Sequence, residues 1–189
     1  DVFHYRMYVE NRIDKKEYLK ALDCGIKSTA TDSSLTMLRA YALSCVGNLP
    51  DSLFTYPVCG GSKALLPDGI TTKSMLIPHN VIVKHYKDKA YAADYRLMSL
   101  LLDRDLDGFA KLVGHYYKLD KYLPRHYKEA LVLYTHMRSH PVLVFHDSVM
   151  DADYQDMIDM QHTAKTQQER ESLIRDSYGN TYWCYYLYS

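Results

Sequence analysis

Apolar side chains recur at intervals of three and four residues along most of this chain, the spacing that aligns them on one face of an α-helix. On that basis the sequence predicts eight helical stretches, at residues 13–26, 35–46, 52–56, 90–102, 109–117, 124–137, 142–164 and 167–188, the last interrupted near Gly179. Short polar connections join several of these stretches and place successive helices side by side. The sequence therefore predicts an all-α fold of antiparallel helix pairs.

Two segments, at residues 17–22 and 127–134, combine aromatic and small residues in the manner of tetratricopeptide repeats. Neither matches the full consensus, and a long irregular segment interrupts the period of about 34 residues. A chain of 189 residues with 47% hydrophobic content can bury one substantial core. The prediction is a single domain over residues 1–189, built as a tetratricopeptide-like α-solenoid fragment.

The irregular segment, called the 57–79 loop below, runs from Pro57 to His79 and is punctuated by glycine and proline. Gly60, Gly61, Pro67, Gly69 and Pro78 occur within it. A loop of this length in a compact domain either carries a function or covers the core as a spacer. The sequence leaves both interpretations open.

The charge balance bears on the choice of partner. The chain has 23 basic and 23 acidic residues, and its formal net charge is zero. Nucleic acids select proteins with a sustained basic field, so we expect no nucleic-acid partner. The 19 tyrosines combine a large apolar ring with a polar hydroxyl. We expect them to serve helix packing first and a binding surface second.

Four widely spaced cysteines contain no Cys-x-x-Cys pair: Cys24, Cys45, Cys59 and Cys184. We expect free, mostly buried thiols rather than a zinc or redox site. No stretch approaches the roughly 20 apolar residues of a membrane helix, and residues 1–10 do not resemble a signal peptide. Because the chain begins at Asp1 rather than at methionine, the sequence suggests a processed chain or an excised fragment.

One segment resembles half of a calcium-binding loop: Asp103, Asp105, Asp107 and Gly108. In an EF-hand, acidic side chains at positions 1, 3 and 5 bind the ion and a glycine at position 6 allows the turn. Position 12 requires a glutamate but is Gly114, and position 9 is Lys111. We therefore interpret the segment as a polar turn whose carboxylates favour the start of the next helix.

Two histidines, His136 and His140, have the spacing that can bind a divalent metal from one helix face. No glutamate lies between them, and Pro141 predicts that the helix ends there. Three further histidines could complete a site only if the fold brought them close: His126, His146 and His162. We predict neither a metal site nor a cofactor.

Other catalytic signatures are weak. Residues 60–63, Gly60-Gly61-Ser62-Lys63, resemble a phosphate-binding turn but lack the preceding strand and the full spacing of a P-loop. No Gly-x-Ser-x-Gly motif is present, and no cysteine has a local catalytic signature. We interpret residues 60–63 as a turn and assign no catalytic residue.

Several blocks of sequence are more specific. They lie at residues 53–57, 60–67, 94–98 and 105–109, followed by Leu123-Pro124-Arg125-His126-Tyr127-Lys128-Glu129-Ala130-Leu131 and by Tyr178-Gly179-Asn180-Thr181-Tyr182-Trp183. Taken in order, they resemble an uncharacterised family from Bacteroides-type bacteria. The resemblance implies a multi-spanning membrane protein with a soluble C-terminal helical-repeat region, and brings no catalytic residue with it.

These observations predict a non-catalytic helical-repeat scaffold that binds a protein or peptide, as the soluble part of a larger cell-envelope protein. The residues that bind the partner are not identified, and any membrane attachment would come from other parts of the parent protein. One alternative is a metal-dependent hydrolase-like or enzyme accessory domain that uses histidines and carboxylates of the second half. Another is a domain that only stabilises or oligomerises the parent protein.

Overall fold

The computed structural model describes all 189 residues. It contains eleven α-helices and no β-strand. The helices are α1 (Val2–Asp14), α2 (Tyr18–Asp23), α3 (Ser33–Cys45), α4 (Leu49–Ser52), α5 (His79–Lys87), α6 (Ala92–Leu102), α7 (Leu106–Val113), α8 (Arg125–Met137), α9 (Ser148–Thr163), α10 (Gln167–Tyr178) and α11 (Tyr182–Tyr188). Two short 3₁₀ helices span Leu53–Thr55 and Gly61–Leu65. The predicted all-α class is confirmed. The tetratricopeptide-like form of the repeat stays a prediction.

The chain divides into two compact units, Asp1–Asp103 and Arg104–Ser189, and each is described by itself. The prediction of a single domain remains a prediction. No helix combines the length and the apolar character needed to cross a membrane.

In the first unit, α3 forms the centre. Eleven of its thirteen residues are buried, so it contacts neighbours on every side. It packs against α1, α2 and α4 and against both 3₁₀ helices. The Gly61–Leu65 3₁₀ helix also packs on α6 and buries Ala64 and Leu65. Part of the 57–79 loop therefore belongs to the core of this unit.

In the second unit, α8 has the central position. It packs against α7, α9 and α11, and α10 packs against α9 and α11. Most of α8 is buried, including Tyr127, Leu131 and Tyr134. Trp183 of α11 is also buried. The tyrosine prediction is consistent with this packing, because only Tyr8, Tyr116 and Tyr122 of the 19 tyrosines are largely exposed.

The predicted helix at the start of the chain was wrong in position and extent. The predicted helix at 13–26 is divided between α1 and α2 by a turn in which Lys16 has a φ of 59°. Most of α1 was not predicted, and its start is capped by the Asp1 side chain, which accepts a hydrogen bond from the Phe3 amide. Its buried face includes a charged residue, Glu10, so the apolar pattern there is weak.

Two later boundaries differ for local reasons. Helix α9 begins at Ser148 rather than at residue 142, because the Asp147 side chain caps it at the Met150 amide. Helix α7 begins at Leu106 because Asp105 accepts from the Gly108 amide. The predicted interruption near Gly179 is present, and Thr181 caps α11 there. Helix α5 was not predicted, because Ile82 is its only fully buried residue.

Candidate functional site

The three aspartates of the calcium-like segment have separate structural roles. Asp103 accepts hydrogen bonds from the amide and hydroxyl groups of Ser62. Asp105 caps α7, as described above, and Asp107 forms a two-pronged ion pair with Arg138 at 2.9 and 3.3 Å. This pairing lowers the pKa of Asp107. Each carboxylate therefore already has a partner within the protein.

The histidines considered at the sequence level are dispersed. His136 stacks on Tyr154 and lies 3.7 Å from Asp151, whose other oxygen is 3.4 Å from His146. His126 is buried against Glu129, whereas His140 and His162 are exposed. Nowhere in the structure are three or more His, Cys, Asp or Glu side chains grouped so that they could hold a metal ion. All four cysteines are free.

The glycine turn at residues 60–63 binds the carboxylate of Asp103. Gly60 and Gly61 have φ values of 93° and 62°, which glycine adopts without strain. A Cβ atom on Gly60 would lie 2.5 Å from the Ser33 hydroxyl. The turn presents the Ser62 amide and hydroxyl to Asp103, so these donors already bind a carboxylate of the protein.

Farther along the 57–79 loop, Asp68 organises a tight turn. One of its oxygens accepts from the amides of Ile70, Thr71 and Thr72 at 2.7 to 2.9 Å, and the other accepts from the Thr71 hydroxyl. These bonds hold the pKa of Asp68 far below its usual range. The backbone of residues 68–72 is thereby fixed in a single turn.

The next part of the loop is attached to buried side chains of two helices. The Ser34 hydroxyl on α3 accepts from the Lys73 amide at 3.0 Å. The fully buried Glu10 carboxylate on α1 accepts from the Met75 amide at 3.1 and 3.2 Å. Since burial keeps water from replacing these bonds, the backbone between Lys73 and Met75 is held firmly.

Large apolar side chains of the same fixed segment point into solvent. Ile70 is 82% exposed, Met75 is 68% exposed and Leu76 is 39% exposed. We call these three residues the loop tip. A segment with such an anchored backbone could meet a partner without first becoming ordered. The sequence indicated the turns in this loop, but the anchors on α1 and α3 lie 39 to 65 residues away and have no local signal.

A half-buried histidine in the first unit, His85, was missed in the sequence. His85 Nε2 lies 2.7 Å from the Ser44 hydroxyl, and its ring stacks on Tyr91 with centroids 3.9 Å apart. Tyr41 and Tyr95 approach the same ring edge-on. Burial lowers the pKa of His85, an effect that nearby Asp88 partly offsets. The Ser44 hydroxyl is buried, so this pair is a packing contact and not an accessible nucleophile.

This histidine predicts a pH dependence. The unfolded chain binds a proton at His85 more readily than the folded chain does, so the free energy of unfolding should fall as the pH decreases below about 6.5. His85→Phe keeps an aromatic ring but cannot titrate, and should flatten the profile in this range. Urea unfolding followed by circular dichroism measures the free energy of unfolding at each pH. His140→Phe, at an exposed histidine, is the control. An unchanged slope in His85→Phe would contradict the assignment.

Among known protein families, one matches this chain. A family of unknown function, DUF6057, matches residues 71–189, more than half of the chain. The chain belongs to DUF6057. This confirms the prediction that it belongs to an uncharacterised family. No curated protein and no solved structure matches the chain.

The DUF6057 match covers only part of the candidate site. It includes Met75 and Leu76 of the loop tip, and it continues through α5 to α11. The anchors Glu10 and Ser34 precede it. The matched range therefore contains two of the three loop-tip residues, whereas Glu10 and Ser34, which bind the backbone of the loop, lie in the preceding helices.

Proposed function

We propose that this chain is a non-catalytic helical module that binds a protein or peptide, and that the loop tip makes the contact. One observation carries the proposal: the backbone of residues 68–75 is fixed by buried or multiple hydrogen bonds, while Ile70, Met75 and Leu76 remain exposed. A spacer loop would gain stability by turning such side chains inward.

The energetics of binding support this assignment. Association costs free energy whenever a flexible loop must become ordered on the partner. Here the Glu10, Ser34 and Asp68 bonds order the segment during folding instead. The exposed side chains can then bury apolar surface against a partner at about 25 cal/mol per Å² without that cost.

The wider setting is proposed from the resemblance described above. We propose that the chain is the soluble part of a multi-spanning cell-envelope protein of Bacteroides-type bacteria, with helices arranged as tetratricopeptide-like repeats. Membership of a family of unknown function is compatible with this role. A metal-dependent hydrolase is not favoured by any side-chain arrangement, since the aspartates and histidines in question are either paired within the protein or dispersed.

The test replaces all three loop-tip side chains by serine: Ile70→Ser, Met75→Ser and Leu76→Ser together. Since all three are exposed, the free energy of unfolding should change by less than about 0.5 kcal/mol for each replacement. Capture of crosslinked partners from a native membrane extract should fall at least about tenfold, because a central apolar anchor contributes 1.4 kcal/mol or more.

The matched control changes three exposed valines of the second unit, Val142→Ser, Val144→Ser and Val149→Ser. This variant removes a similar amount of apolar surface and should capture partners as the parent chain does. Equal loss in both variants would indicate nonspecific apolar adsorption. Full capture by the loop-tip variant would show that the contact lies elsewhere.

A further inference from the structure

A short extended segment of the second unit, between α8 and α9, has the form of a strand without a partner strand. The chain runs from Val144 to Asp147 without a bend, and Asp147 has a φ of −140° and a ψ of 118°. In an extended chain, the amides of alternate residues point to opposite edges. These four residues therefore have two edges, as a β-strand does, although the protein contains no strand to pair with them.

One edge of this segment, the inner edge, is bonded to the protein. The Phe145 amide donates to the hydroxyl of Thr135 on α8 at 3.1 Å. The Asp147 amide donates to the carboxylate of Asp151 on α9 at 3.2 Å. The Phe145 side chain is buried as well. The two helices therefore hold the segment in its extended form in the single copy.

The opposite edge, the outer edge, presents unpaired backbone groups. The amides and carbonyls of Val144 and His146 form no hydrogen bond within the protein. Both of these side chains are exposed. A row of unpaired N–H and C=O groups is a template to which another strand can add. The outer edge thus offers two donors and two acceptors, spaced evenly about Phe145.

The outer edge lacks the features that normally prevent strands from pairing between copies. Edge strands usually carry charged side chains or proline, which repel or block a second strand. Residues 139–146 contain no lysine, arginine, aspartate or glutamate, and their one proline, Pro141, precedes the extended part. Valine and phenylalanine also favour strands. A second copy that approached residues 144–146 would therefore meet neither a repelling charge nor a missing donor.

We propose that two copies of this chain pair through residues 144–146 as an antiparallel two-stranded ribbon, with a two-fold axis at Phe145. Val144 of each copy then lies opposite His146 of the other. Each of these two residue pairs exchanges both of its backbone hydrogen bonds, which gives four bonds between the copies. All the donors and acceptors involved are groups that the single copy leaves unpaired. The inference goes beyond the proposed function, because the loop tip takes no part in it.

The symmetry of the outer edge favours a second copy over a foreign strand. A donor and an acceptor at residue 144 and the same two groups at residue 146 match an identical edge turned by 180°. The facing residues are valine with histidine and phenylalanine with phenylalanine, so no two like charges lie opposite each other. The contact is short, and buries less than the roughly 1,200 Å² of stable interfaces. We therefore expect a weak dimer, with a dissociation constant of about 0.1 to 1 mM.

The first test is sedimentation equilibrium of the complete chain at about 0.02 to 1 mM. His146→Pro removes the outward amide and should weaken dimerisation at least about tenfold, because two of the four bonds are lost. His146→Ala loses the same side chain but keeps the amide, and should stay within about threefold of the parent chain. The loop-tip variant should dimerise as the parent chain does. Circular dichroism compares the folding of the two variants at residue 146.

A disulfide tests the register even if proline disturbs the fold. Val144→Cys in one chain and His146→Cys in a differently tagged chain place thiols on directly opposed residues. Their Cα atoms would be about 5.5 Å apart, within the reach of a disulfide. The mixture should form a crosslinked heterodimer. Either variant alone should crosslink less, because identical positions lie diagonally, about 7 to 8 Å apart. The native free cysteines are present in every sample and contribute equally.

Three results would overturn the inference: a chain that stays monomeric at about 1 mM, equal dimerisation of His146→Pro and His146→Ala, or equal crosslinking in the mixture and in the single variants. A foreign strand gives a different pattern. The chain would stay monomeric, and His146→Pro would capture fewer partners from a native membrane extract than His146→Ala. That result would assign the outer edge to another protein and would make pairing with a second copy wrong.

Discussion

Replacing Glu129 by alanine should lower the free energy of unfolding by about 3 to 5 kcal/mol, the cost of removing one partner from a buried charged network. The Glu129 carboxylate is almost fully buried and accepts from His126 Nδ1 at 2.7 Å, from the Tyr182 amide at 2.9 Å and from Arg125 Nε at 3.1 Å. An ionised carboxylate can only accept, so the His126 proton resides on Nδ1. Alanine would remove the acceptor of all three of these hydrogen bonds at once.

The measurement uses a probe inside the network. Trp183 is the only tryptophan of the chain, it is buried, and its indole N–H donates to the Glu129 carbonyl at 2.8 Å. Urea unfolding followed by tryptophan fluorescence therefore reports on the contact between α8 and α11 directly. The same experiment gives the free energy of unfolding by linear extrapolation.

Two controls separate the charge from the hydrogen bonds. Glu129→Gln keeps an oxygen acceptor but loses the charge opposite Arg125, and should cost about 1 to 2 kcal/mol. Asp176→Ala removes an exposed carboxylate of α10, where the change should stay within about 0.5 kcal/mol. A loss of less than about 1 kcal/mol in Glu129→Ala would contradict the assigned network.

This network joins two of the sequence blocks that carried the family resemblance. Residues 123–131 supply Arg125, His126 and Glu129, and residues 178–183 supply the Tyr182 amide and the Trp183 indole. Each block could be recognised in the sequence. The contact between the two blocks could not be predicted from it. Glu129 and Tyr182 are separated by 53 positions, and helical periodicity contains no information about pairing over that distance.

Helices with a wide apolar face were predictable. Helices α3 and α8 are buried along most of their length, and five of the eleven residues of α6 are buried. The predicted ranges of all three agree within about three residues, the usual uncertainty of such boundaries. Helix α5 was missed because it lies on the surface and buries one residue completely.

The candidate site was predictable only in part. Glycine, proline and Asp68 indicated an irregular loop with turns, which the structure contains. Whether the loop served as a contact surface or as a spacer depended on Glu10 and Ser34, which belong to distant helices. Glu10 in particular is a charged residue that a sequence pattern assigns to solvent, yet it is fully buried under the Met75 amide.

A second large effect is expected at Arg39, which is fully buried in the middle of α3. Its Nη2 atom donates to the Cys24 carbonyl at 3.0 Å, and its guanidinium lies 5.2 Å from the centre of the Tyr56 ring. Nε and Nη1 are buried without a hydrogen-bond acceptor. No carboxylate pairs with this charge, and burial lowers the pKa of the guanidinium.

We therefore expect Arg39→Met to raise the free energy of unfolding by about 1 to 3 kcal/mol, because an unbranched apolar side chain fills the space without the desolvation cost of a charge. Arg39→Ala should lower it by about 2 to 4 kcal/mol, because it also leaves a cavity. Urea unfolding followed by circular dichroism measures both variants. The two changes in the free energy of unfolding should have opposite signs. This would show that the volume of the Arg39 side chain stabilises α3 and that its buried charge does not. Arg39→Met could instead prove as destabilising as Arg39→Ala. In that case the hydrogen bond to Cys24 and the cation–π contact with Tyr56 would contribute more free energy than desolvation of the guanidinium costs.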